Sequence, residues 1–405
     1  MSDLKESLRG RLVILTQYYP PEMGAPQSRL YELASGFKAL NWDVDVITAM
    51  PNYPTGKIFE QYRGKIIFND VHEGVPVKRF WLFPSNSPRT LPRLVSMLSF
   101  SATAFLALPF LLKRKPDYIF VESPPLTLAF SALLMAKLTG SKLVMNVSDL
   151  WPLSAKELGA INEGFLYRRI EALERFLYKK AFVCTGQSQE IVDYISEKKA
   201  RRVFLFRNGV DFERFSVKKS NGNGAHHKLV YAGLLGVAQG ILSICRNVRF
   251  KDLGVEFHIY GSGAEKEEIE KFLLESPGSN VFLHSPVGRN EIPGILSGYD
   301  GTLVPLSKKI YGAVPSKIYE AMAAGLPIIF SGDGEAAQII QEQQVGWVSE
   351  TNNFQQLESN IAEFVNNLKK RTFFSANGVK CASQVFERKI QIRNLHDFLQ
   401  AHINN

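Results

Sequence analysis

A lysine and a glutamate, Lys317 and Glu320, lie three residues apart near the start of a short predicted helix that ends at Gly325. Residues at this spacing share a helix face, and the first turn of a helix presents N–H groups that suit a phosphate. Lys317 could add a positive charge for that phosphate, and Glu320 could accept two hydrogen bonds from a sugar diol. With Ser316 beside them, these residues fit a nucleotide-sugar, which carries a diphosphate and a ribose. The same spacing also fits an ordinary Lys–Glu pair on a solvated helix face.

Three glycine-containing turns in the second half of the chain each follow a predicted strand and open a predicted helix. Glycines there would let the backbone approach a phosphate closely, with the helix N–H groups pointing at it. The middle turn lacks the third glycine of a dinucleotide fingerprint, so it is the weaker signal, for a wall near a nucleotide base. Tight turns or helix caps without a ligand explain the same patterns. The candidate donor-binding residues in these turns are Gly233, Gly236, Gln239, Gly240, Gly261, Gly263, Gly334 and Glu335.

In the first half, Asp149 and Arg29 are the candidates on chemical grounds. Asp149 follows a predicted strand and precedes Trp151, so its carboxylate could orient or deprotonate an acceptor hydroxyl. Capping of the following helix is an equal alternative. Arg29 lies in the first turn of a predicted helix, where a cation is unfavourable for the helix dipole, which indicates another partner. That partner could be an acceptor, or Glu22 or Glu32 in a salt bridge.

The elements that must position these residues alternate along the chain. Short apolar strands separated by helical patterns predict an α/β fold with parallel sheets covered on both faces, and ligands at the carboxyl ends of the strands. A first helix is predicted over 27–40 and a last one within 383–402. The predicted strands cover 11–16, 44–48, 118–121, 142–145, 181–184, 228–232, 256–260, 281–283, 301–304 and 327–330.

The chain has 405 residues, which is too long for one typical core and fits two domains. A polar stretch over 216–228 with Asn-Gly-Asn-Gly at its centre predicts a flexible loop. We therefore predict two doubly wound, Rossmann-like domains, an acceptor-binding domain over 1–206 and a nucleotide-sugar domain over 207–382. Residues 383–405 form the predicted C-terminal helix.

The formal net charge of +9 calls for an anionic partner. The sequence has no arginine-rich arm, zinc finger or aromatic-basic RNA motif, so no nucleic acid partner is expected. Three widely spaced cysteines and a polar N-terminus unlike a signal peptide predict a cytoplasmic protein. The seven histidines show no metal-ligand spacing, and we expect no metal and no cofactor.

Residues 94–112 carry no formal charge and are bounded by Arg93 and by the basic run 113–115. This length just reaches a transmembrane span. Four hydroxyl side chains, Pro109 and basic residues on both flanks argue against spanning. A helix that lies on an anionic bilayer surface, a core helix and a true span remain open, and the basic run favours the first.

The run Pro315-Ser-Lys-Ile-Tyr-Glu-Ala-Met-Ala-Ala-Gly325 resembles the donor-site motif of retaining, family 4 glycosyltransferases with the GT-B fold. In that family the glutamate matching Glu320 binds the nucleotide ribose. The usual motif has a second glutamate where this chain has Gly312, which leaves open the group that faces the donor sugar. The same departure is found in the branch that assembles O-antigen and colanic-acid-type polysaccharides.

Other segments resemble the same family. Residues 230–240 are similar to its diphosphate-binding loop, 208–211 to its interdomain linker, and 146–152 and 51–56 to strings of the polysaccharide branch. The resemblance implies two domains facing a central cleft and a final helix that crosses back to the first domain. It also implies that Gly24 lies under the donor phosphates and that Asn52, Tyr53 and Trp151 belong to the acceptor side.

Together these points predict a metal-independent, retaining glycosyltransferase. It would move a sugar from a nucleotide-diphospho-sugar, most simply a UDP-sugar, to a hydroxyl of a lipid-linked surface glycan at the inner face of the plasma membrane. Lys317 would stabilise the leaving diphosphate, Glu320 would anchor the ribose and Asp149 would position the acceptor. Two alternatives remain, a non-hydrolysing sugar-nucleotide epimerase and a non-catalytic nucleotide-sugar-binding subunit at the membrane.

Overall fold

The computed structural model describes residues 9–22, 24–87, 90–157, 159, 161–215, 227–308 and 310–403. The chain divides into two compact units. Unit 1 contains Met1–Arg207 and Ile392–Asn405, and unit 2 contains Asn208–Gln391. Of the loop predicted over 216–228, residues 216–226 lie outside the described residues, and His227 and Lys228 begin a strand.

Strands and helices alternate along most of the chain. The strands are β1 (Arg11–Thr16), β2 (Asp43–Ala49), β3 (Ile67–His72), β4 (Val75–Phe80), β5 (Tyr118–Ser123), β6 (Lys142–Val147), β7 (Val183–Gly186), β8 (Val203–Leu205), β9 (His227–Leu234), β10 (Val255–Ser262), β11 (Val281–His284), β12 (Gly301–Pro305), β13 (Ile328–Ser331) and β14 (Gly346–Ser349). The α-helices are α1 (Ala25–Ala39), α2 (Thr90–Thr103), α3 (Leu108–Arg114), α4 (Leu126–Thr139), α5 (Leu153–Glu157), α6 (Phe165–Lys180), α7 (Gln189–Glu197), α8 (Phe212–Phe215), α9 (Ile241–Asn247), α10 (Lys266–Glu275), α11 (Ile292–Leu296), α12 (Ser316–Ala323), α13 (Glu335–Glu342), α14 (Phe354–Asn366), α15 (Leu368–Gln384) and α16 (Arg388–Gln400).

Unit 1 is built on a sheet in the order β3-β4-β2-β1-β5-β6-β7-β8. All neighbouring strands are parallel except β3 and β4, which form an antiparallel hairpin at one edge. The sequence did not predict this hairpin. Its turn residues, Glu73 and Gly74, have φ of 47° and 81°, as a two-residue type I′ turn requires.

The last helix packs on unit 1. Phe37 of α1 and Ile392, Leu395 and Leu399 of α16 are buried in one core cluster against the sheet. The hydroxyl of Tyr118 donates to the Leu399 carbonyl at 2.8 Å. The helix predicted within 383–402 is split, because α15 ends at Gln384 and α16 begins at Arg388.

The uncharged segment forms α2 and α3, joined by the 3-10 turn Ala104–Ala107. Phe100, Ala104, Ala107 and Leu111 are buried in unit 1, and α4 packs against both helices. By length and composition alone, Leu91–Arg114 could cross a membrane, and a third of its most apolar window is buried in the protein. The segment therefore has a packed face and an outer face.

Unit 2 is built on a parallel sheet in the order β11-β10-β9-β12-β13-β14. Its core lies on both faces: Leu229 and Phe257 belong to one buried cluster, and Val230 and Val304 to the other. Side chains of successive strand residues point to opposite faces. Because both faces are buried, most residues of these strands are apolar. The predicted α/β architecture is confirmed, and β8 and β14 were not predicted.

β9 and β10 approach each other closely at Gly261. A Cβ on Gly261 would lie 2.0 Å from the Gly233 carbonyl oxygen across the parallel pair. Gly261→Ala should therefore lower the free energy of unfolding by about 1–3 kcal/mol, the usual effect of overpacking, as measured by denaturant unfolding. Gly294→Ala is the matched control in unit 2, because a Cβ there meets nothing within 4 Å. Equal stability of the two variants would contradict the close approach.

Candidate functional site

In unit 2 the strand order reverses between β9 and β12. The chain runs outward from β9 through β10 and β11, then crosses to β12, β13 and β14 on the other side. At such a reversal the loops after the two central strands diverge and leave a crevice at their carboxyl ends. The amide of Ser307, after β12, donates to the Ala238 carbonyl at 2.9 Å, and its hydroxyl donates to the Val237 carbonyl at 2.6 Å. These bonds tie the two loops together at the reversal.

Lys317 reaches from the first turn of α12 to the end of β9. A Cβ on Gly233 would lie 2.2 Å from Lys317 Cε and 2.5 Å from its Nζ, so a side chain at 233 would force the end of Lys317 to move. The Nζ lies 5.4 Å from the centre of the Tyr231 ring, and the Tyr231 hydroxyl donates to the Leu234 carbonyl at 2.6 Å. The structure thus brings Gly233 and Lys317 of the predicted donor site together.

The charge on Lys317 is poorly solvated. Burial lowers the pKa of Lys317 from its ordinary value, and the nearby carboxylate of Glu320 opposes this change. Desolvation penalises the charged form of an amine. A diphosphate at the turn would supply the counter-charge that surrounding water does not.

Helix α12 holds Lys317, Ser316 and Glu320 on its polar side. Its other side, which includes Ile318 and Met322, is buried, and this fixes the rotation of the helix. The Ser316 hydroxyl and Glu320 Oε1 are 3.5 Å apart, which is a weak hydrogen bond at best. Both residues are partly exposed, so the Glu320 carboxylate has acceptor capacity for a ligand.

Gly312, where the resembled motif has a glutamate, has φ of 81°. This left-handed conformation is open to glycine and costly for most other residues. The backbone before α12 therefore favours glycine at this position. The replacement of the motif's glutamate by Gly312 thus agrees with the local backbone conformation.

The turn after β9 continues through Gly236, Gln239 and Gly240. Gly240 has φ of 63° and caps α9, and a Cβ there would lie 2.6 Å from Cβ of Ser307. A Cβ on Gly236 would lie 2.8 Å from Gln239 Oε1, which has no hydrogen-bond partner among the described residues. Gln239 is therefore an unsatisfied acceptor beside the crevice.

The remaining glycine turns have a packing explanation. A Cβ on Gly263 would lie 2.4 Å from the Leu235 carbonyl oxygen, so Gly263, like Gly261, lets the turn after β10 pack on the turn after β9. Gly334 has φ of 80° and precedes α13, where Glu335 is buried. Contact of these residues with a donor stays a prediction.

In unit 1, Arg29 is part of a buried polar network. Its guanidinium pairs with the carboxylate of Glu122 at the end of β5. Glu122 also accepts from the Asn146 side-chain amide at 2.7 Å, and Asn146 accepts from the Thr185 hydroxyl at 2.6 Å. The network links α1, β5, β6 and β7, and it gives Arg29 a structural partner that the sequence did not identify.

Glu22 joins the loops after β1 and β2, a role that the sequence did not predict. Its Oε1 accepts from the backbone amides of Asn52 and Tyr53, both at 2.8 Å, and its Oε2 accepts from the Tyr19 amide at 3.4 Å. Burial raises the pKa of Glu22 to about 7 against these hydrogen bonds. The Asn52 side chain donates to the Met50 carbonyl at 3.1 Å, whereas the Tyr53 ring is 41% exposed. Of the predicted acceptor pair, Tyr53 is the accessible member.

Asp149 lies just after β6. It accepts from the hydroxyl of Ser154 in the first turn of α5 at 3.0 Å, and burial raises its pKa. The bond comes from a side-chain hydroxyl and not from a backbone N–H of α5, so it is not a helix cap. The action of Asp149 on an acceptor stays a prediction. Trp151, two residues on, is partly exposed. Within the described part of the chain, no group of three His, Cys, Asp or Glu side chains could hold a metal ion.

Comparisons with known proteins identify both halves. Residues 24–209 match the glycosyl transferase 4-like domain, and residues 216–380 match the glycosyl transferases group 1 domain. The chain belongs to the GT-B glycosyltransferases. The crevice at β9 and β12 lies in the group 1 domain of this glycosyltransferase.

Two relatives in sequence are named glycosyltransferases. One is WcaI of Escherichia coli (strain K12), named as a candidate colanic acid biosynthesis glycosyl transferase. It is 26% identical over 76% of this chain and 79% of its own length. The other, the sulfoquinovosyl transferase SQD2 of Arabidopsis thaliana, is 25% identical over 70% of this chain and 56% of its own length. The match thus spans only about half of SQD2.

Solved structures share the whole fold at low sequence identity. Sucrose-phosphate synthase from Thermosynechococcus elongatus has a TM-score of 0.76 at 14% identity, covering 97% of this chain and 99% of its own. HepE of Anabaena, solved in complex with UDP, has a TM-score of 0.72 at 16% identity, covering 96% and 100%. These likenesses confirm the GT-B fold.

Lys317→Met should stabilise the protein without ligand. Because the pKa of Lys317 is lowered in the folded state, the unfolded chain holds the ammonium proton more tightly than the folded chain does. The free energy of unfolding therefore rises with pH between the lowered pKa and the ordinary pKa of lysine. The variant should lack that rise, and its free energy of unfolding at neutral pH should be about 1 kcal/mol higher than that of the wild type. Denaturant unfolding across pH measures both effects. Lys389→Met is the control, since the exposed Lys389 pairs with Glu213. A loss of stability in Lys317→Met would contradict a dehydrated ammonium.

Proposed function

We propose that this glycosyltransferase moves a hexosyl or N-acetylhexosaminyl group, with retention, from a UDP-sugar to a hydroxyl of a lipid-linked glycan in surface polysaccharide synthesis. The observation that carries the proposal is the half-buried Lys317, whose ammonium lies against Gly233 at the strand reversal and whose pKa is lowered by burial. A poorly hydrated cation beside a helix N-terminus suits a diphosphate.

The comparisons support the finer parts of the proposal by analogy. HepE, which shares the fold, was solved in complex with UDP, and WcaI carries a name from colanic acid biosynthesis. The family matches favour a transferase over an epimerase or a non-catalytic binding subunit.

In the proposed reaction, negative charge develops on the departing diphosphate. Lys317 Nζ and the backbone N–H groups at the start of α12 stabilise that charge without reorganising, which is the usual dominant catalytic contribution. We propose that this charge comes from the protein alone, with no metal ion or cofactor. Glu320 accepts hydrogen bonds from the ribose hydroxyls and holds the nucleotide in register.

Asp149 is proposed to act on the acceptor. Burial raises its pKa, which makes its carboxylate a better proton acceptor at neutral pH. Its bond to the Ser154 hydroxyl fixes the direction of the carboxyl group.

Nucleotide binding tests the donor side. Thermal unfolding with UDP, GDP, ADP, TDP or NAD should show a raised midpoint with UDP and an unchanged midpoint with NAD, because a ligand that binds the native state stabilises it by mass action.

Glu320→Ala should raise the KM for the UDP-sugar by about tenfold to a hundredfold, since a hydrogen bond to a charged group contributes roughly 1.5–3 kcal/mol. The control is Glu275→Ala on α10, whose exposed carboxylate pairs with Lys271. An unchanged KM in Glu320→Ala would remove this residue from the ribose site.

The acceptor class is supported by the outer face of unit 1. Helix α4 packs against α2, α3 and α6, so the outer surfaces of these helices adjoin. The exposed apolar residues on α2 recur at helical spacing (Leu91, Val95 and Leu98), and the turn and α3 add Leu106 and Leu112. The outer side of α6 adds exposed basic and apolar residues: Phe165, Leu166, Arg168, Arg169, Arg175, Phe176, Lys179 and Lys180.

This face, called here the docking face (the exposed residues of α2, α3, α4 and α6), has no free carboxylate among the described residues. Helices α2, α3 and α4 contain no acidic residue. In α6, Glu171 pairs with Lys198 at 2.6 Å and Glu174 is fully buried. An apolar stripe beside unopposed cations fits an anionic bilayer. We therefore propose a peripheral enzyme at the cytoplasmic surface of the plasma membrane.

Binding to vesicles tests the docking face. Arg114 is unsuitable for substitution, because its guanidinium pairs with Asp43 and Asp45. Replacing Lys113, Lys115, Arg168 and Arg169 with Gln should weaken binding to vesicles of phosphatidylglycerol and phosphatidylcholine by about a hundredfold or more, since each basic residue contributes about 1 kcal/mol.

The matched control replaces four exposed lysines of unit 2, Lys251, Lys271, Lys369 and Lys380, with Gln and changes the net charge equally. Vesicle flotation at fixed ionic strength measures both variants. Equal weakening would assign the effect to net charge and refute the docking face.

A further inference from the structure

Unit 1 contains a pocket of about 270 Å³ at the amino ends of its strands. Lys142 is the first residue of β6, Arg202 directly precedes β8, and Lys180 is the last residue of α6. Because β6, β7 and β8 are parallel neighbours, their amino ends meet at one edge of the sheet. Glu22 and Asp149 follow strands at the opposite, carboxyl edge, so this pocket is separate from the predicted acceptor side.

The lining of this pocket is strongly basic. It contains five cationic side chains and, among the described residues, no acidic one: Lys137, Lys142, Lys180, Arg201 and Arg202. Three of the five, Lys137, Lys180 and Arg201, are exposed, and the other two are half-buried. These five residues are called here the basic pocket.

Two of the cations are held around the Phe182 ring. Lys142 Nζ lies 5.3 Å and Arg202 Cζ 4.6 Å from the centre of that ring. Lys142 also donates to the carbonyls of His402 at 2.5 Å and Ile403 at 3.1 Å. Contact with an aromatic face orients the Arg202 guanidinium but uses none of its five N–H donors.

Carboxylates near this edge have other partners. Asp117, directly before β5, accepts from the Arg11 amide at 2.7 Å, and Glu171 of α6 pairs with Lys198 at 2.6 Å. Within the described part of the chain, no ion pair includes four of the five cations: Lys137, Lys180, Arg201 and Arg202. Ion pairs therefore do not balance the charge of the basic pocket.

The helix dipole accounts for only part of this cluster. Lys137 and Lys180 lie in the last turns of α4 and α6, where a cation is favourable. Arg201 and Arg202 precede a strand, so the dipole gives no reason for them at this place. Like charges gathered around one concavity repel one another, and a bound anion would remove that repulsion.

The number and kind of the cations indicate a phosphomonoester. A guanidinium presents paired donors that match phosphate oxygens, and a lysine adds a point charge. A phosphomonoester carries about 1.5–2 negative charges at neutral pH, whereas a phosphodiester carries a single one. The pocket is slightly smaller than the roughly 300–1,000 Å³ that is usual for whole small-molecule ligands, which fits a headgroup or a small ester.

We propose that the basic pocket binds a phosphomonoester at a site separate from the donor and acceptor sites. Arg201 and Arg202 bind the phosphate oxygens, and Lys137 and Lys180 add positive charge at the rim. Lys142 supports the base of the pocket through its contacts with Phe182 and the chain at 402–403. The proposal does not depend on the donor, the acceptor or the reaction of the proposed function.

The phosphomonoester has two possible sources, a soluble compound and a lipid headgroup. Leu138 follows Lys137 in sequence, and Phe176 lies one turn before Lys180 on α6. Both apolar side chains are exposed and belong to the docking face, so they would contact the acyl chains of a bound lipid. A soluble ester would need only the cations.

Two variants and one control test the site. Arg201→Gln with Arg202→Gln is the main variant, because neither arginine belongs to the docking face. Lys137→Gln with Arg201→Gln is the second variant, which changes only exposed side chains and keeps the contact of Arg202 with Phe182. The matched control, Lys251→Gln with Lys271→Gln, alters exposed residues of unit 2 and changes the net charge equally.

The soluble probe is glycerol 3-phosphate, titrated calorimetrically. The lipid probe is a pair of phosphatidylcholine vesicles, one with phosphatidic acid and one with phosphatidylglycerol, matched in measured surface potential. Phosphatidic acid has a phosphomonoester headgroup and phosphatidylglycerol a phosphodiester, whereas the docking face responds to surface charge alone. The ratio of the two vesicle affinities therefore reports on the basic pocket.

At least one probe should reveal the site in the wild type and in the control. A preference for phosphatidic acid vesicles of roughly tenfold or more, lost in both variants, would assign the lipid source. Saturable binding of glycerol 3-phosphate that both variants lose, without that preference, would assign the soluble source. Absence of both effects in the wild type, or their persistence in the variants, would overturn the proposal.

Stabilisation by UDP distinguishes this proposal from the proposed function. It reports on unit 2 and should be the same in the wild type and in both variants. Phosphomonoester binding without any nucleotide effect would support the basic pocket and refute the proposed function. A nucleotide effect without phosphomonoester binding would refute the basic pocket alone.

Discussion

Two missing side chains shape the proposed donor side of unit 2. Gly261 has no Cβ, so the carbonyl of Gly233 can lie directly against β10; Gly233 has none either, so Lys317 can pass across it. A side chain at 261 would displace the backbone at Gly233, and one at 233 would force the end of Lys317 to move. The poor solvation of the Lys317 ammonium, which favours a diphosphate in the proposed function, depends on this packing more than on the Glu320 carboxylate.

In unit 1, buried carboxylates hold the loops at the carboxyl edge of the sheet. Glu22 holds the loop after β2 through two backbone amides, and Glu122 joins Arg29 to Asn146 across three elements. Buried ionic groups of this kind stabilise a structure only when nearly all their hydrogen bonds are made. The loops of unit 1 are therefore fixed by side chains, and those of unit 2 by glycine contacts.

The elements that could be predicted are those whose residue pattern lies within one short stretch of the sequence. β1 was predicted with its observed bounds, because four buried apolar residues, 12–15, form one run before Thr16. The β3–β4 hairpin was missed, since β3 alternates between exposed and half-buried residues at an edge, and β14 has only four residues. Lys317 and Glu320 followed from helical spacing, but the approach of Lys317 to Gly233 and of Arg29 to Glu122 joins residues far apart in sequence. Such contacts depend on sheet order, which one sequence does not contain.

In the proposed function, the docking face would also give the enzyme access to its lipid-linked acceptor. Removing an alkyl chain from a bilayer costs about 0.8 kcal/mol per methylene group, so an enzyme that acts on a long lipid must bring its site to the headgroup layer. From Arg93 to Lys113 the helical segment is about 30 Å long at 1.5 Å per residue, and its exposed stripe has a cation near each end. Lying along the interface, such a stripe would keep Arg93 at the level of the lipid phosphates. The glycan of the proposed acceptor could then reach the carboxyl edge of the unit 1 sheet while its lipid stays in the bilayer.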